Sequence, residues 1–431
     1  MLLIFTHKIT NRLNYTARQI FERILGVDIA FTTKVEDFIK HSGPKMTYSK
    51  QPLQNEFFIR SNDLLFEQGI NDIEIKMAEW DGVPCFFASG EKSSIPYDIF
   101  SASFYLLSRY EEYLPHVKDS VGRFPVRESL AYQNKFLELP VVDLWAHKLL
   151  AVLKERFPDI KHKEKVYSFT SIINVTTSHS FALRGLVRTM GGFLLDLGSF
   201  KFKSVLNRIS VLLGLMKDPY DNFDQLVEIH KKFPAKTMFF FQFAKHSAHD
   251  KNISTNNNKF RYLIKSVADY SVVSLSTSFL SSTDKSALKE EKRQLGNLIH
   301  RPINYSRLRY NRVNVPTSYR NLVDTEFTDD FSMGYTHEIG FRAGTCTPFH
   351  FYDINMEVRQ PLKVHPFAVH DYALLNFKRR EEIFDKMDRI YRLVKQVNGS
   401  FIIVFSNELL GSDHKLKWME LYQSFLRRYY V

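Results

Sequence analysis

The chain is poor in the residues that make linkers and staples. It has 17 glycines and 15 prolines in 431 residues, which excludes a collagen repeat and argues against long flexible linkers. Its two cysteines, Cys85 and Cys346, lie far apart. Two cannot build a disulfide framework or a metal knuckle, and they favour a reducing, cytoplasmic location. No apolar run approaches the ~20 residues that span a bilayer. The opening MLLIFTHKIT lacks a basic region and a small-residue cleavage site, so it reads as a first strand and not a leader. No internal repeat is visible. What is present is ordinary for a folded protein: 44% hydrophobic and 25% charged residues exclude wholesale disorder. The 38 Phe and 21 Tyr suit a filled core or aromatic-lined clefts. Lys and Arg exceed Asp and Glu, for a net charge of +12 that favours anionic partners. The basic residues are scattered through helices, as in KKF, KRR and RR near 231, 378 and 427, with no compact stripe. Nucleic acid is therefore not an expected partner.

Patterning divides the chain in two. Residues 1–165 read as a small α/β unit, with strands at 2–6, 29–33 and 57–59 and helices at 16–25, 98–113 and 141–156. Asp98 is the expected N-cap of the second helix. In 166–431 strand and helix alternate, with strands at 168–176, 237–243, 271–276, 302–307, 330–335, 362–369 and 400–406. The gaps are long enough for crossovers, which argues for a mostly parallel sheet or a β/α barrel. Met190-Gly191-Gly192 reads as the opening of a helix or turn, and 247–259 as a surface loop. LYQSFLRRYY (421–430) is amphipathic and reads as a closing helix rather than a membrane-surface one.

In a β/α barrel the working residues sit at the C-terminal strand ends. Those ends carry Asn174 and Thr176, Ser276 and Ser278, Arg307 and Arg309, Asp371, then Ser406, Asn407 and Glu408. The set has few acids and no histidine pair at metal-ligand spacing.

Several stretches carry a resemblance. They are SRYEEYLP (108–115), KDPYDNFDQLVEIHKKF (217–233), PTSYRNL (316–322), MGYTHEIGFRAGTCTPFHFYDI (333–354) and HPFAVHD (365–371). In type and order they resemble the polysaccharide deacetylases of the NodB-homology class, and more narrowly the Bacteroidetes-type members with an extra N-terminal α/β domain. The resemblance implies a deformed β/α barrel after that smaller domain. It also implies a divalent metal, usually zinc, that polarises an acetyl carbonyl and activates water. An Asp-x-Asp pair, a ligand histidine and an acid histidine complete the family's chemistry.

This sequence departs from that pattern at each of those positions. The Asp-x-Asp reads Asn174-Val175-Thr176, the Gly-Leu-His-Pro-Ser stretch reads 274–278 SLSTS, and the Trp-His-Asn-Glu reads 405–408 FSNE. The Arg-Ser-Arg-Gln-His stretch reads 305–309 YSRLR. Asn and Ser serve poorly as general base or zinc ligand near neutrality. The expectation is a catalytically inactive deacetylase-like protein, a pseudoenzyme needing no cofactor. Degenerate positions are Asn174, Thr176, Ser276 and Ser406. Arg307, Arg309, Arg342, Asp371, Asn407 and Glu408 are the ligand-binding candidates, for an anionic or acetylated glycan. The plainer alternative pairs these arginines with Asp371, Glu408 or Glu338. A glycan-biosynthesis protein is a further expected partner, and the N-terminal domain is an equal candidate for an interaction module. The competing expectation is an active zinc deacetylase with shifted ligands His179, His370 and Asp371.

Overall fold

The computed structural model describes residues 1–412 and 414–430. Val431, the expected end of the second unit, lies outside them, as does Asp413. The first unit opens with four short strands, β1 (Leu2–Phe5), β2 (Ile29–Thr32), β3 (Lys45–Ser49) and β4 (Phe57–Arg60). They form a parallel sheet in the order β2-β1-β3-β4. A hairpin of β5 (Met77–Trp80) and β6 (Val83–Phe86) follows. Asp98 caps helix Ile99–Leu107 by accepting from the amides of Phe100 and Ser101. That helix stops at Leu107, short of the expected 113, because Arg109 takes a left-handed turn (φ 56°) into a tight Tyr110–Glu112 turn.

The second unit holds β7 (Ser168–Val175), β8 (Lys236–Gln242), β9 (Val272–Ser276), β10 (Tyr305–Arg307), β11 (Asp329–Asp330), β12 (Phe349–Asp353), β13 (Val358–Val364), β14 (Val369–His370) and β15 (Ser400–Ser406). Their order is β12-β13-β11-β10-β9-β8-β7-β15-β14, parallel throughout except between β12 and β13. This is a deformed, incompletely closed β/α barrel behind a smaller α/β unit.

Period-two alternation explains its two faces. On β7, β8 and β15, Ile173, Phe239, Phe241, Ile403 and Phe405 pack in the main core with the helices. Ile172, Met238, Phe240, Ile402 and Val404 point the other way, into the barrel. There they meet Phe331, just past β11, and Phe367, just before β14. Strands at opposite ends of the sheet thus share one interior cluster, which requires the sheet to curl. Helix Trp418–Tyr429 is buried through Tyr422, Phe425 and Tyr429 and closes the barrel. No helix among the described residues is long and apolar enough to cross a membrane.

The two units are joined by a buried polar seam. Arg342 donates twice to Glu112 (2.9 and 2.7 Å), and Arg109 donates to the same carboxylate at 2.8 Å and to Glu111 at 2.6 Å. Asp143, buried in helix Val141–Arg156, accepts from Thr345 (2.6 Å), Thr347 (2.5 Å) and the Cys346 amide (3.0 Å). Arg12 pairs with Glu357.

Candidate functional site

The interior parity of the strands carries upward to their C-terminal ends. Asn174 follows Ile172, Ser406 follows Val404, and Gln242 follows Phe240, so all three aim into the barrel mouth. Register places Asn174 opposite Ser406, and Ser276 opposite both Gln242 and Arg307. The result is a cleft of about 520 Å³. Asn174, Thr176, Ser276 and Ser406 all line it, as do Arg307, Arg309 and Glu408. Asp371 and Asn407 lie beneath the lining. Asp371 Oδ2 accepts from the amide and hydroxyl of Ser406, both at 2.6 Å. Asn407 donates to the carbonyls of Thr177 (3.0 Å) and Tyr220 (3.2 Å). Both therefore brace the strand ends.

Arg342 is outside this cleft. Its guanidinium faces Glu112 across the seam, a partner in the other unit that local spacing could not have named. Nor do the arginines of the cleft pair with Asp371, Glu408 or Glu338. Arg307 donates to the carbonyl of Phe331 (2.5 Å) and to Asn311 Oδ1 (2.7 Å), and lies 4.8 Å from the Phe367 ring centroid. It makes no ion pair among the described residues; burial lowers its pKa to about 10 against the pull of the nearby Asp330 and Asp371 carboxylates, so it stays charged at neutral pH. Arg309 donates to the His249 carbonyl (3.1 Å) and stands 3.7 Å from Asp250. Its Nε, the atom nearest Asp250, is buried without a hydrogen bond, as is Asn174 Oδ1.

Other lining residues had no signal of their own in the sequence. Arg123 arrives from the first unit and reaches the Tyr310 carbonyl and Thr336 hydroxyl, both at 3.2 Å. Arg184 follows β7 and donates to the His179 carbonyl, and Lys251 comes from the 247–259 loop. That loop is pinned rather than free: Asp250, Asn252 and Ile253 are buried. Tyr220 sits in the quoted KDPYDNF stretch and was legible as part of a motif, though not as lining. In all, Arg123, Arg184, Lys251, Arg307 and Arg309 line the cleft with one carboxylate, Glu408, which accepts from the Thr176 hydroxyl; behind the lining Asp119 pairs with Arg123 (2.8 Å) and Asp250 faces Arg309.

His370 also lines the cleft, with Nδ1 2.7 Å from Asp371 Oδ1. Burial depresses its pKa despite that carboxylate, so it is neutral near pH 7. His179 is not among the lining residues, and shares a 2.9 Å hydrogen bond with Ser178. His365 pairs with Asp329 (2.6 Å) at the other end of the sheet. Among the described residues no three His, Cys, Asp or Glu side chains come together as a metal site. The hydroxyl and amide donors of the cleft do not fit a zinc ion, which takes thiolates, imidazoles and carboxylates.

Residues 2–158 match a family described as a family of unknown function, DUF7033. No curated protein matches the chain. Among solved structures, a candidate polysaccharide deacetylase from Mycobacterium smegmatis is similar at 11% identity, over 62% of this chain and 85% of that one, with a TM-score of 0.39. An allantoinase gives 10% identity, 60% and 83% coverage, and 0.36. A CE4 family pseudoenzyme from Bacillus anthracis gives 8% identity, 61% of each chain, and 0.30. Likenesses this distant say nothing of what this chain does.

Proposed function

We propose that this chain is a deacetylase-like pseudoenzyme of the cytoplasm whose barrel cleft binds an anionic sugar without cleaving it. One observation carries the reading: five cations and a single carboxylate line a cleft whose strand ends bear amides and hydroxyls. Guanidinium groups bind sulfate, phosphate or a sugar carboxylate through paired hydrogen bonds. Asn174, Ser276 and Ser406 supply the neutral donors and acceptors that sugar hydroxyls need. Hydrolysis needs a base within reach of water. The one lining carboxylate is engaged by Thr176, which leaves the imidazoles of His337 and His370 as the lining bases that an acetate-release assay must find inactive. A glycan-biosynthesis enzyme is the partner class that would deliver such a sugar.

The test is calorimetry with oligosaccharides bearing sulfate, phosphate or uronic acid, beside their neutral counterparts. We expect binding of the charged members only, weakened by salt. In Arg184→Gln/Arg309→Gln we expect affinity to fall by about 10-fold or more, from loss of charge-assisted hydrogen bonds. Silence across the whole panel sinks the reading. So does release of acetate from an acetylated oligosaccharide at an enzymatic rate.

A further inference from the structure

The most unusual surface of the molecule lies just beyond β7. Residues 186–216 form a hairpin of two helices, Leu186–Gly198 and Phe202–Leu212. Half of all the large apolar side chains exposed among the described residues fall in this short stretch. The first helix has no buried residue at all. Leu186, Met190 and Leu194 make a stripe at helical spacing on it, Leu206 stands on the second, and Leu213 follows its last residue. Phe200, in the turn, is 79% exposed.

The hairpin buries Val205, Val211 and an ion pair. Asp196 on the first helix accepts from Arg208 (2.6 Å) and Ser204 (2.9 Å) on the second. Arg208 lies against Gly192, where a Cβ would meet its guanidinium at 2.8 Å. Two glycines inside a helix weaken it by roughly 1 kcal/mol each, and here Gly192 admits the arginine that ties the pair together. A hairpin that hides its ion pair and displays its leucines is built for an apolar medium on its outer side.

Charge selects that medium. Between 184 and 217 the sequence has six cations and one acid; Arg208 binds that acid, Asp196, and Lys217 pairs with Asp221 and Asp224 beyond it, which still leaves an excess of positive charge on the hairpin. Lys201 is exposed at the turn beside Phe200, and Arg188 flanks the first stripe. A second copy of this chain would bring the same excess of positive charge face to face. An anionic bilayer instead offers hydrocarbon for the leucines and headgroups for the cations, each basic residue near such a surface contributing about 1 kcal/mol.

We propose that this hairpin seats the protein on the surface of an anionic lipid bilayer, with Phe200 and the leucine stripes in the interfacial region. Arg184 lines the cleft and stands two residues before the first helix, so a seated hairpin holds the cleft mouth near the headgroups. The seating does not depend on what the cleft binds.

Flotation of the full chain with phosphatidylglycerol–phosphatidylcholine vesicles tests this, beside phosphatidylcholine alone. We expect the chain to float with the anionic vesicles, and salt to reduce the bound fraction. Phe200→Ser/Leu206→Ser/Leu213→Ser removes three exposed apolar groups; it should lower partitioning by at least about 10-fold and leave the melting temperature unchanged. Failure of the wild-type chain to float overturns the proposal. So does equal flotation of wild type and triple variant. A concentration-dependent dimer that the triple variant abolishes, in a chain that ignores vesicles, would reassign the face to self-association. Sugar binding by calorimetry is read separately, so either result stands without the other.

Discussion

Two buried glutamates show how differently the seam and the cleft treat charge. Glu112 sits between Arg109 and Arg342, and Glu291, in helix Lys285–Ile299, sits under the segment that follows β9 with the Ser278 amide (3.1 Å) as its donor. Burial pushes both carboxyls up. At Glu112 the two guanidiniums outweigh it and hold the group below the ordinary range. At Glu291 hydrogen bonds from Ser278 and Ser281 do not suffice, and the pKa stands at about 7. The arginines of the seam are spent on carboxylates, whereas Arg307, equally buried, is held by a carbonyl and an amide. A buried cation with neutral partners leaves its field available to a ligand, and one locked to a carboxylate does not.

The sharpest way to break this contrast is Glu112→Gln. It leaves Arg109 and Arg342 buried at a seam with one carboxylate fewer, and we expect a loss of about 3–5 kcal/mol in urea denaturation. A loss below about 1 kcal/mol would mean the seam cluster is not what joins the units.

Glu291→Gln should act in the opposite sense. Below pH 4.5 Glu291 is protonated in both folded and unfolded chains, and its contribution is intact. As pH rises through about 7 the folded chain must ionise a buried carboxyl, and that stability is lost. The stability of E291Q relative to wild type should therefore rise by about 3 kcal/mol from below 4.5 to above 7. A difference that stays level with pH would place a cation near Glu291 and erase the contrast.

The smallest expected effect concerns Glu408, the lone carboxylate of the lining. Glu408→Gln removes the one carboxylate that lines the cleft. Affinity for a sulfated or phosphorylated sugar should increase several-fold, roughly 1 kcal/mol across a solvated cleft, with little change in melting temperature. Weaker binding would make Glu408 a receptor for sugar hydroxyls instead of a brake on anions.

Legibility followed burial. Helix Val141–Arg156 and strand Ser400–Ser406 coincide with their expected bounds, because long apolar periodicity leaves little choice. Strand Lys45–Ser49 was missed since KMTYS has no strong pattern, and the strand expected at 362–369 starts earlier, as Val358–Val364, since Pro361 masks its largely exposed first half. The glycines at 191 and 192 were read as an opening and lie mid-helix, where Gly192 serves contact with Arg208 and Gly191 faces open space. In the site, Asn174, Thr176, Ser276, Ser406, Arg307, Arg309 and Glu408 meet as strand-end logic predicts. Arg123, Arg184 and Lys251 were not legible, because loops far apart in sequence bring them there.

By itself the amino-acid order settled the alternation of strands and helices, the C-terminal ends of β7, β8, β9, β10 and β15 to within a residue, and the scarcity of acids there. These are local matters of period two and of residue chemistry. Which arginines are neutralised and which remain available was decided only by the tertiary structure. Charge pairing is a contact between distant segments: the Glu112 that silences Arg342 lies 230 positions away in another unit. The outward leucines of 186–216 belong to the same class. Their spacing is that of any buried helix, and only the fold shows that nothing among the described residues covers them.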